Sequence, residues 1–377
     1  MLTKFETYYS KGEFGSIELT LDRIAEALKH IDFDEKKLGK IIHIAGTNGK
    51  GSTAYFIHQA ALKNGYKSVL YTSPHIERIN ERIVLNNMPV NIELFDNCFE
   101  NLKPVIEKFH LTFFEGLTLT AFQIFQKFSP DISVIETGLG GTFDATNVLN
   151  NKIPVITTIS QDHSNYLGKS IYKIVDEKMN IIKNNKNVYI GKNQKFIIDY
   201  IREKHSEKNL FFIYDTDISN NLPAPYNYNL ELAGTVAKNE LGIKINPHEK
   251  YELPPCRMEK IGRFILDGAH NPNGIINLIK NIKKVDTAII SSTKDRNISK
   301  SIHILSQKIK NIIVCEIPDN ERSIDIDTLL LENVIKIKDP INAVYKSLEL
   351  SDKNDILICG SLYLCGFLRK KIRENFV

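Results

Sequence analysis

Short runs of β-branched and other apolar residues alternate along the chain with longer amphipathic stretches. In the first two thirds of the sequence, such runs begin at Ile41, Ser68, Ile132, Pro154 and Asn187. Between them, TAYFIHQAALKNG and SIYKIVDEKMNIIK space their apolar residues at helical intervals, and the first ends in an Asn-Gly stop signal. Strands that alternate with helices are typical of βα units around a mostly parallel sheet, so we predict an α/β fold.

A second series of βα units follows the segment NPHEKYELPPC, in which Pro247, Pro254 and Pro255 interrupt regular structure. Beyond it, strands are predicted at RFILDGA, TAIISS, NIIVCEI and DILICGS, each followed by a helical pattern. The sequence therefore predicts a larger N-terminal α/β domain over residues 1–253 and a smaller, Rossmann-like C-terminal domain over residues 254–377.

The composition narrows the class of protein. Of the 377 residues, 42% are hydrophobic and 25% are charged, as in a soluble globular protein. The 49 basic and 45 acidic residues nearly balance, so charge gives no argument for nucleic acid as a partner. No apolar run approaches the roughly 20 residues that span a bilayer, and the N-terminus lacks the apolar core of a signal peptide. We expect a cytoplasmic protein without a membrane partner.

The five cysteines are scattered along the chain without a C-x-x-C pair: Cys98, Cys256, Cys315, Cys359 and Cys365. This pattern suggests neither a zinc site nor a disulfide framework. We expect reduced, mostly buried thiols. We also expect the protein to be a monomer whose partners are small molecules.

The segment HIAGTNGKGST, residues 43–53, lies between a predicted strand and a predicted helix. Glycines allow backbone N–H groups to turn towards an anion, and the helix adds the positive end of its dipole. Lys50 would reach the terminal phosphates of a nucleotide, while Ser52 would cap the helix or face a magnesium ion. The segment departs from the G-x-x-x-x-G-K-[ST] pattern because position 44 is Ile. These residues alone fit either a nucleotide site or a plain tight turn.

GTNGKGST resembles the phosphate loop of the ATP-dependent Mur ligase superfamily, which is shorter than the common loop. Within that superfamily, further segments resemble the folylpolyglutamate synthase/dihydrofolate synthase family, in the family's order and at compatible spacing. They are TSPHIERINERI (from Thr72), LTFFEGLTLTAFQIF (from Leu111), ETGLGGTFDATN (from Glu136), LDGAHNPNG (from Leu266) and CGSLYLCGFLR (from Cys359). The resemblance spans nearly the whole chain.

The resemblance implies an N-terminal P-loop ATPase domain, a C-terminal ligase domain and ATP bound by residues of both. The implied ATP-binding residues are Gly46, Thr47, Asn48, Gly49, Lys50, Gly51, Ser52, Thr53, Asn229, Arg257, Asp267 and His270. If Asp267 and His270 approach the nucleotide, ATP would lie between the domains and their closure would complete the site. The family's HQ motif is absent around Asn229.

Two Mg²⁺ ions are also implied by the resemblance. Glu136 ends the run ISVIE, which places its carboxylate at the sheet edge where α/β proteins bind ligands. Ser73 and Glu136 would hold one ion, with Ser52 close to the phosphates, and His163 and Glu136 would serve the second. Lys178 falls where the family has a lysine that CO₂ converts to a carbamate, an anionic oxygen ligand. Without the resemblance, His163 would be a structural histidine and Lys178 an ordinary helix-surface lysine.

For the folate side, Thr112, Phe114 and Asp144 match family positions that contact the pterin ring. An aromatic face such as that of Phe114 suits stacking on a flat heterocycle, although a Phe in this setting is more often core. The segment SPHIERINERI resembles the loop that closes over the folate substrate, with His75 and Arg82 as its recognisable residues.

The sequence departs from the family pattern at two positions. Thr142 stands where the family has the arginine of GLGGRxDATN, which removes a cation beside the catalytic strand end. Cys256 replaces the glycine of PGR, a change that we expect to concern turn geometry.

The implied reaction is an ATP-dependent amide ligation of L-glutamate to dihydropteroate and to folate glutamate tails, through an acyl phosphate. Lys50, Glu136, His163 and Lys178 are its catalytic residues. We favour a bifunctional enzyme because Thr112 and Phe114 accompany the shared ligase core. The alternatives are an enzyme with only one activity, a cell-wall Mur ligase and a nucleotide-binding regulator. About 40 residues before the phosphate loop are too few for the further domain of a cell-wall ligase.

Overall fold

A computed structural model describes residues 2–10, 20–161, 170–214, 222–246 and 249–376. The described residues up to Glu252 form one compact unit, and those from Leu253 onward form a second. The boundary between the two units lies next to Pro254 and Pro255. Within the described residues, no helix is long and apolar enough to cross a membrane.

The first unit is built around an eight-stranded sheet. Its strands are β1 (Lys40–Ala45), β2 (Ser68–Tyr71), β3 (Ile83–Leu85), β4 (Met88–Pro89), β5 (Ile132–Glu136), β6 (Lys152–Ile156), β7 (Asn187–Ile190) and β8 (Asn209–Phe212). Their order across the sheet is β4, β3, β2, β5, β1, β6, β7, β8. The run from β2 to β8 is parallel, whereas β3 and β4 extend it as an antiparallel edge.

Helices cover this sheet because its central strands are apolar on both faces. In β1, the five residues from Ile41 to Ala45 are all buried, as expected for a strand inside a parallel sheet. The helices are α1 (Lys4–Tyr8), α2 (Asp22–His30), α3 (Lys50–Lys63), α4 (Ile92–Lys108), α5 (Phe113–Phe128), α6 (Ile171–Met179), α7 (Lys195–Lys204) and α8 (Ala224–Val236). Helix α3 ends at the predicted Asn-Gly stop, where Gly65 adopts φ +81°.

The second unit contains a six-stranded sheet. Its strands are β9 (Glu259–Ile261), β10 (Phe264–Leu266), β11 (Val285–Ile290), β12 (Asn311–Val314), β13 (Ile335–Lys336) and β14 (Asp355–Cys359). The order is β13, β12, β11, β14, β10, β9, and only β9 is antiparallel to its neighbour. The helices are α9 (Pro272–Asn281), α10 (Ile298–Ser306), α11 (Pro340–Leu350) and α12 (Leu362–Asn375).

The predicted α/β class and its strands are confirmed, and several additional elements appear. Helices α4 and α5 and the hairpin of β3 and β4 were not predicted. The hairpin escapes the hydrophobic pattern because its strands are only three and two residues long. Its turn contains Asn86 at φ +51°, a conformation that Asn tolerates better than most residues. The predicted helix start at Asn271-Pro272 is confirmed, since the Asn271 side chain accepts a hydrogen bond from Gly274 N at 2.8 Å.

Candidate active site

The predicted site residues of the first unit gather at one edge of its sheet. The phosphate loop follows β1, Ser73 follows β2 and Glu136 ends β5. These three strands run parallel and are neighbours in the order β2, β5, β1. Their carboxyl ends therefore meet, as in other open α/β sheets that bind ligands at this edge.

Two glycines give the phosphate loop its shape. Gly46 adopts φ +150°, and a Cβ there would lie 1.9 Å from Oγ1 of Thr157. Gly49 adopts φ +90°, and a Cβ there would lie 2.6 Å from Oδ1 of Asn229. Asn229 belongs to α8, so the structure brings this predicted ATP-binding residue directly against the loop.

Helix α3 starts inside the loop. Gly49 is its N-cap residue, and no side chain in the described part of the protein caps it. Ser52 lies in the first helical turn, so the interpretation that Ser52 caps the helix is wrong. Gly51 and Thr53 share that turn, and Thr53 N donates to Gly49 O at 2.9 Å. The N–H groups of this turn and the helix dipole favour an anion at the loop.

The loop is held from the side of β6. Thr47 N and Asn48 N both donate to the carbonyl oxygen of Thr158, at 2.8 and 3.2 Å. Thr47 Oγ1 donates to Ser160 O and accepts from Ser160 N, each at 3.0 Å. Thr158 and Ser160 were not predicted. They contact Thr47 and the N–H of Asn48 through backbone atoms, which every residue type has, so the sequence gives no sign of these contacts. His163, three residues further along the chain, lies outside the described residues.

Beside the loop, a lysine and a carboxylate face each other. Nζ of Lys50 lies 3.9 Å from Oε1 of Glu136. Oε2 of Glu136 accepts a hydrogen bond from Ser73 N at 3.2 Å. A Cβ at Gly51 would lie 3.2 Å from the same oxygen, so the helix backbone passes close to this carboxylate. Glu136 is buried. The carboxylate and the hydroxyl oxygens of Ser73 and Ser52 are hard donors of the type that Mg²⁺ prefers.

Lys178 reaches the same loop from α6. Its side chain is buried, and Nζ donates to Gly46 O at 3.0 Å. The interpretation of Lys178 as an ordinary helix-surface lysine is therefore wrong.

The end of α6 is fixed by the segment that follows Glu136. Thr142 N donates to Glu177 O at 3.1 Å, and Asn180 Nδ2 donates to Thr142 Oγ1 at 2.9 Å. A Cβ at Gly141 would lie 2.3 Å from Glu177 O, so this contact requires glycine. Thr142, where the family has arginine, thus supports the helix that carries Lys178.

The predicted pterin residues lie on both sides of this segment. A Cβ at Gly138 would lie 2.5 Å from Cζ of Phe114, so the Phe114 ring rests on the chain two residues beyond Glu136. Asp144 Oδ2 accepts from Leu139 N at 2.9 Å, and Oδ1 accepts from Thr146 N at 3.1 Å. Burial raises the pKa of Asp144 against the opposing effect of these hydrogen bonds. Its carboxylate organises the loop in which it lies.

The Asp144 loop is also joined to β1. Thr146 Oγ1 donates to Asp144 Oδ1 and lies 2.6 Å from Nε2 of His43. His43 is fully buried, and burial lowers the pKa of its ring well below the usual value. The neutral imidazole therefore donates from Nε2 to Thr146, which links the strand before the phosphate loop to the Asp144 loop.

His75 and Arg82, the predicted folate-loop residues, contact each other. Arg82 Nε donates to His75 Nδ1 at 3.0 Å. Burial and the Arg82 cation together lower the pKa of His75 to about 3, so its imidazole is neutral. Arg82 is itself buried, and its guanidinium lies 5.7 Å from the ring centroid of Phe113.

Within the second unit, the three predicted ATP residues share one loop cluster. Asp267 accepts from Met258 N at 3.0 Å and from Ala269 N at 2.8 Å, which ties the Arg257 turn to the LDGAHNP loop. A Cβ at Gly268 would lie 3.0 Å from Nη1 of Arg257. His270 Nδ1 lies 2.8 Å from Gly268 O. Cys256 adopts φ +56°, a conformation that favours glycine, so its replacement of the family glycine does concern turn geometry.

Comparisons with known proteins identify the family of this chain. Residues 44–266 match the family model of the Mur ligase middle domain. The dihydrofolate synthase/folylpolyglutamate synthase of Buchnera aphidicola subsp. Baizongia pistaciae is 33% identical over 332 residues, which cover 79% of this chain and 76% of that protein. This chain belongs to the folylpolyglutamate synthase/dihydrofolate synthase family of Mur ligases. The predicted family and the prediction of an ATP-dependent ligase are confirmed.

Two further relatives cover nearly all of the ligase. Dihydrofolate synthetase of Saccharomyces cerevisiae is 29% identical, covering 94% of this chain and 97% of that protein. A crystal structure of a bifunctional folylpolyglutamate synthase/dihydrofolate synthase with Mn, AMPPNP and L-glutamate bound superimposes with a TM-score of 0.85. It is 24% identical and covers 98% of each chain, so it supports the two-domain ligase fold.

Sequence reasoning missed two charged residues of the ligase, Arg23 and Glu115. Glu115 follows Thr112 by three residues, and T-x-x-E ahead of an apolar run is a helix-start signal that could have been found. Its partner Arg23 lies 92 residues away along the chain, so only the fold reveals the pair.

Proposed function

We propose that this ligase uses ATP to join L-glutamate to a carboxylate of a pterin-bearing acid, acting both on dihydropteroate and on the glutamate tails of folates. One observation carries the proposal. The segment from Glu136 to Gly138 contacts Lys50 and the phosphate loop at one end and the ring of Phe114 at the other. A phosphoryl-transfer site and an aromatic platform thus share one short segment, as a flat substrate with a reactive carboxylate requires.

The reaction has two steps. A substrate carboxylate oxygen attacks the γ-phosphorus of ATP, the bond to the β,γ-bridging oxygen breaks, and ADP leaves. The glutamate amine then attacks the acyl carbon of the acyl phosphate, inorganic phosphate leaves, and the nitrogen loses a proton to give the amide. No side-chain nucleophile is needed, so the protein contributes mainly by positioning its substrates and stabilising charge.

Lys50 contributes to the first step through its charge and its position. Its ammonium group neutralises charge on the transferred phosphoryl oxygens, and its partner Glu136 holds it towards the loop at 3.9 Å. Glu136, Ser73 and Ser52 are the described residues that would hold Mg²⁺, joined by His163. Bound Mg²⁺ would neutralise and orient the phosphate oxygens.

Lys178 is the second proposed support of the metal site. Its buried amine lies at the phosphate loop, 3.0 Å from Gly46 O, where a carbamate would add anionic oxygens. For the second unit, we propose that Arg257, Asp267 and His270 contribute to ATP binding. We further propose a monomeric enzyme of the cytoplasm, where reducing conditions would preserve the five free cysteines, all of them buried.

The test compares substrates on the purified protein. Dihydropteroate and tetrahydrofolate are each supplied with L-glutamate and MgATP, and ADP release is measured together with the ligated product. Both acids should support ADP release that also depends on glutamate. Turnover of only one acid would reject the bifunctional proposal, and the absence of any substrate-dependent ADP release would reject the ligase function itself.

A further inference from the structure

One buried amide joins the segment after Glu136 to the end of helix α6. Asn147 is only 1% exposed. Its Nδ2 donates to Thr142 O at 2.9 Å and to Asn180 O at 3.3 Å. Asn180 is the C-cap residue of α6. A single nitrogen of the Asn147 side chain therefore holds a loop carbonyl and a helix-end carbonyl together.

The orientation of this amide is fixed from both sides. Carbonyl oxygens can only accept hydrogen bonds, so the nitrogen of the Asn147 amide has to face Thr142 and Asn180. Its Oδ1 accepts from Nζ of the buried Lys152 at 2.5 Å. A flipped amide would set oxygen against oxygen at one end and nitrogen against nitrogen at the other. The network thus permits one orientation of the Asn147 side chain.

The backbone on both sides of Lys178 is held by the same segment. Thr142 N donates to the carbonyl oxygen of Glu177, the residue before Lys178, at 3.1 Å. Asn180 Nδ2 donates to Thr142 Oγ1 at 2.9 Å, two residues after Lys178. A Cβ at Gly141 would lie 3.1 Å from Cα of Lys178 itself. The segment that Asn147 organises is therefore in contact with the residue that carries the amine.

The place of this backbone decides where the Lys178 amine lies. Its Nζ donates to Gly46 O in the phosphate loop at 3.0 Å. If the end of α6 moved away by about 1 Å, the amine would be beyond hydrogen-bonding distance of Gly46. A misplacement of that size can lower the rate of an enzyme by about 10²-fold.

We propose that Asn147 is a positioning residue for the ligase reaction, which holds the end of α6 so that Lys178 stays against the phosphate loop. This inference rests on the role proposed for Lys178 above. Asn147 acts through Lys178, because the polar atoms of its own side chain are all paired within the protein.

A purely structural role for Asn147 leads to a different expectation. Its amide would then stabilise the first unit, and its loss would lower the melting temperature without changing the turnover of the folded enzyme. Any effect on kcat would also be independent of the residue at position 178. The two roles therefore separate in the change of kcat against KM, and in the dependence of that change on Lys178.

The experiment is a double-mutant cycle on the purified protein. Asn147→Asp replaces the amide nitrogen by an oxygen that faces two carbonyl oxygens, and Lys178→Gln removes the residue through which Asn147 acts. The single variants, the double variant and the wild type are compared by kcat, KM for ATP, KM for dihydropteroate and melting temperature. Asn180→Ala is the second positioning variant. Because Asn180 is exposed, its truncation removes the Nδ2 contact with Thr142 without opening the core.

Asn281→Asp is the matched control. Asn281 Nδ2 also donates to a backbone carbonyl at the end of a helix, but the helix is α9 of the second unit and the acceptor is Asn277 O, at 2.7 Å. This substitution should leave kcat and both KM values within about twofold of the wild type.

Asn147→Asp should lower kcat by about tenfold and Asn180→Ala by about threefold, with both KM values within about twofold of the wild type. In Lys178→Gln, the same substitutions should change kcat by less than about twofold, because no lysine is left to position. If Asn147→Asp does not fold, Asn180→Ala carries the same test.

Two results in an active enzyme overturn the inference alone. The first is an equal fold loss of kcat with Lys178 and with Gln at position 178, and the second is a wild-type kcat in folded Asn147→Asp. A wild type without substrate-dependent turnover overturns the proposed function, and the inference with it.

Discussion

Nζ of Lys178 donates a hydrogen bond to the carbonyl oxygen of Gly46 at 3.0 Å. This contact joins the last turn of α6 to the first glycine of the phosphate loop, across 132 residues of sequence. A cation buried at this place can act in two ways: as a donor that shapes the loop, or as the amine that becomes a carbamate.

Substitution of Lys178 separates these roles. Lys178→Gln keeps an N–H₂ donor but cannot react with CO₂, so we expect kcat to fall by about 10²-fold through loss of charge stabilisation at the phosphates. Lys173→Gln is the control, because Lys173 is exposed on the same helix. Single-turnover rates in bicarbonate-depleted and bicarbonate-supplemented buffer give the second readout. If Lys178→Gln keeps the wild-type kcat, Lys178 acts only as a hydrogen-bond donor to Gly46 and not as a carbamate.

The phosphate loop should be intolerant of a side chain at Gly49. Gly49→Ala combines the φ of +90° with a Cβ placed 2.6 Å from Oδ1 of Asn229. We expect kcat/KM for ATP to fall by about tenfold to hundredfold, because the loop must move to admit the methyl group.

Gly65→Ala is the matched control for this substitution. Gly65 has a similar φ of +81°, but a Cβ there would have no atom of the described residues within 4 Å beyond its chain neighbours. Gly65→Ala should lower the free energy of unfolding by roughly 1–2 kcal/mol and leave kcat/KM for ATP unchanged. The double variant Gly49→Ala/Asn229→Ala should recover part of the activity. If it recovers none, the contact with Asn229 is not the cause.

Local signals explain which parts of this site were predictable. The phosphate loop, the Asn64-Gly65 stop and the Asn271-Pro272 start each depend on a few adjacent residues, so the sequence indicates them directly. Residue type alone would make Lys178 a helix-surface lysine, although it follows the buried Ile174 by four residues and therefore lies on the apolar face of α6. Helical periodicity, applied without regard to charge, would have placed it inward.

Other features depend on pairings that no local pattern contains. Arg23 meets Glu115 across 92 residues, and Thr47 meets Ser160 across 113. Lys152 is a different case, because its amine donates to Oδ1 of Asn147, only five residues earlier in the chain. Its residue type gives no sign that it is buried inside the first unit.

Lys152 should make stability increase with pH above neutrality. Burial and the nearby Lys183 lower the pKa of Lys152 to about 7, whereas the unfolded chain has the ordinary value of 10.5. Between these values the unfolded state binds more protons, so this group destabilises the folded state less as pH rises. From pH 7 to 8.5, the free energy of unfolding should rise by about 1.5 kcal/mol more in the wild type than in Lys152→Met. Urea denaturation at both pH values measures the difference, and equal pH dependence in the two proteins would contradict it.

His58 should make the protein sensitive to acid. Its ring lies 2.8 Å from Ser68 Oγ at Nδ1 and 2.7 Å from Asn86 O at Nε2, and burial lowers its pKa to about 4, below the ordinary 6.5. As pH falls from 6.5 towards 4, the unfolded state takes up a proton that the folded state refuses, so stability is lost in this range. Between pH 7 and 5, the wild type should lose about 2 kcal/mol more than His58→Gln, which retains polar partners but does not titrate. His30→Gln, at an exposed position on α2, should keep the wild-type pH dependence in the same urea titrations. A His58→Gln variant that loses stability in acid as steeply as the wild type would show that other groups are responsible.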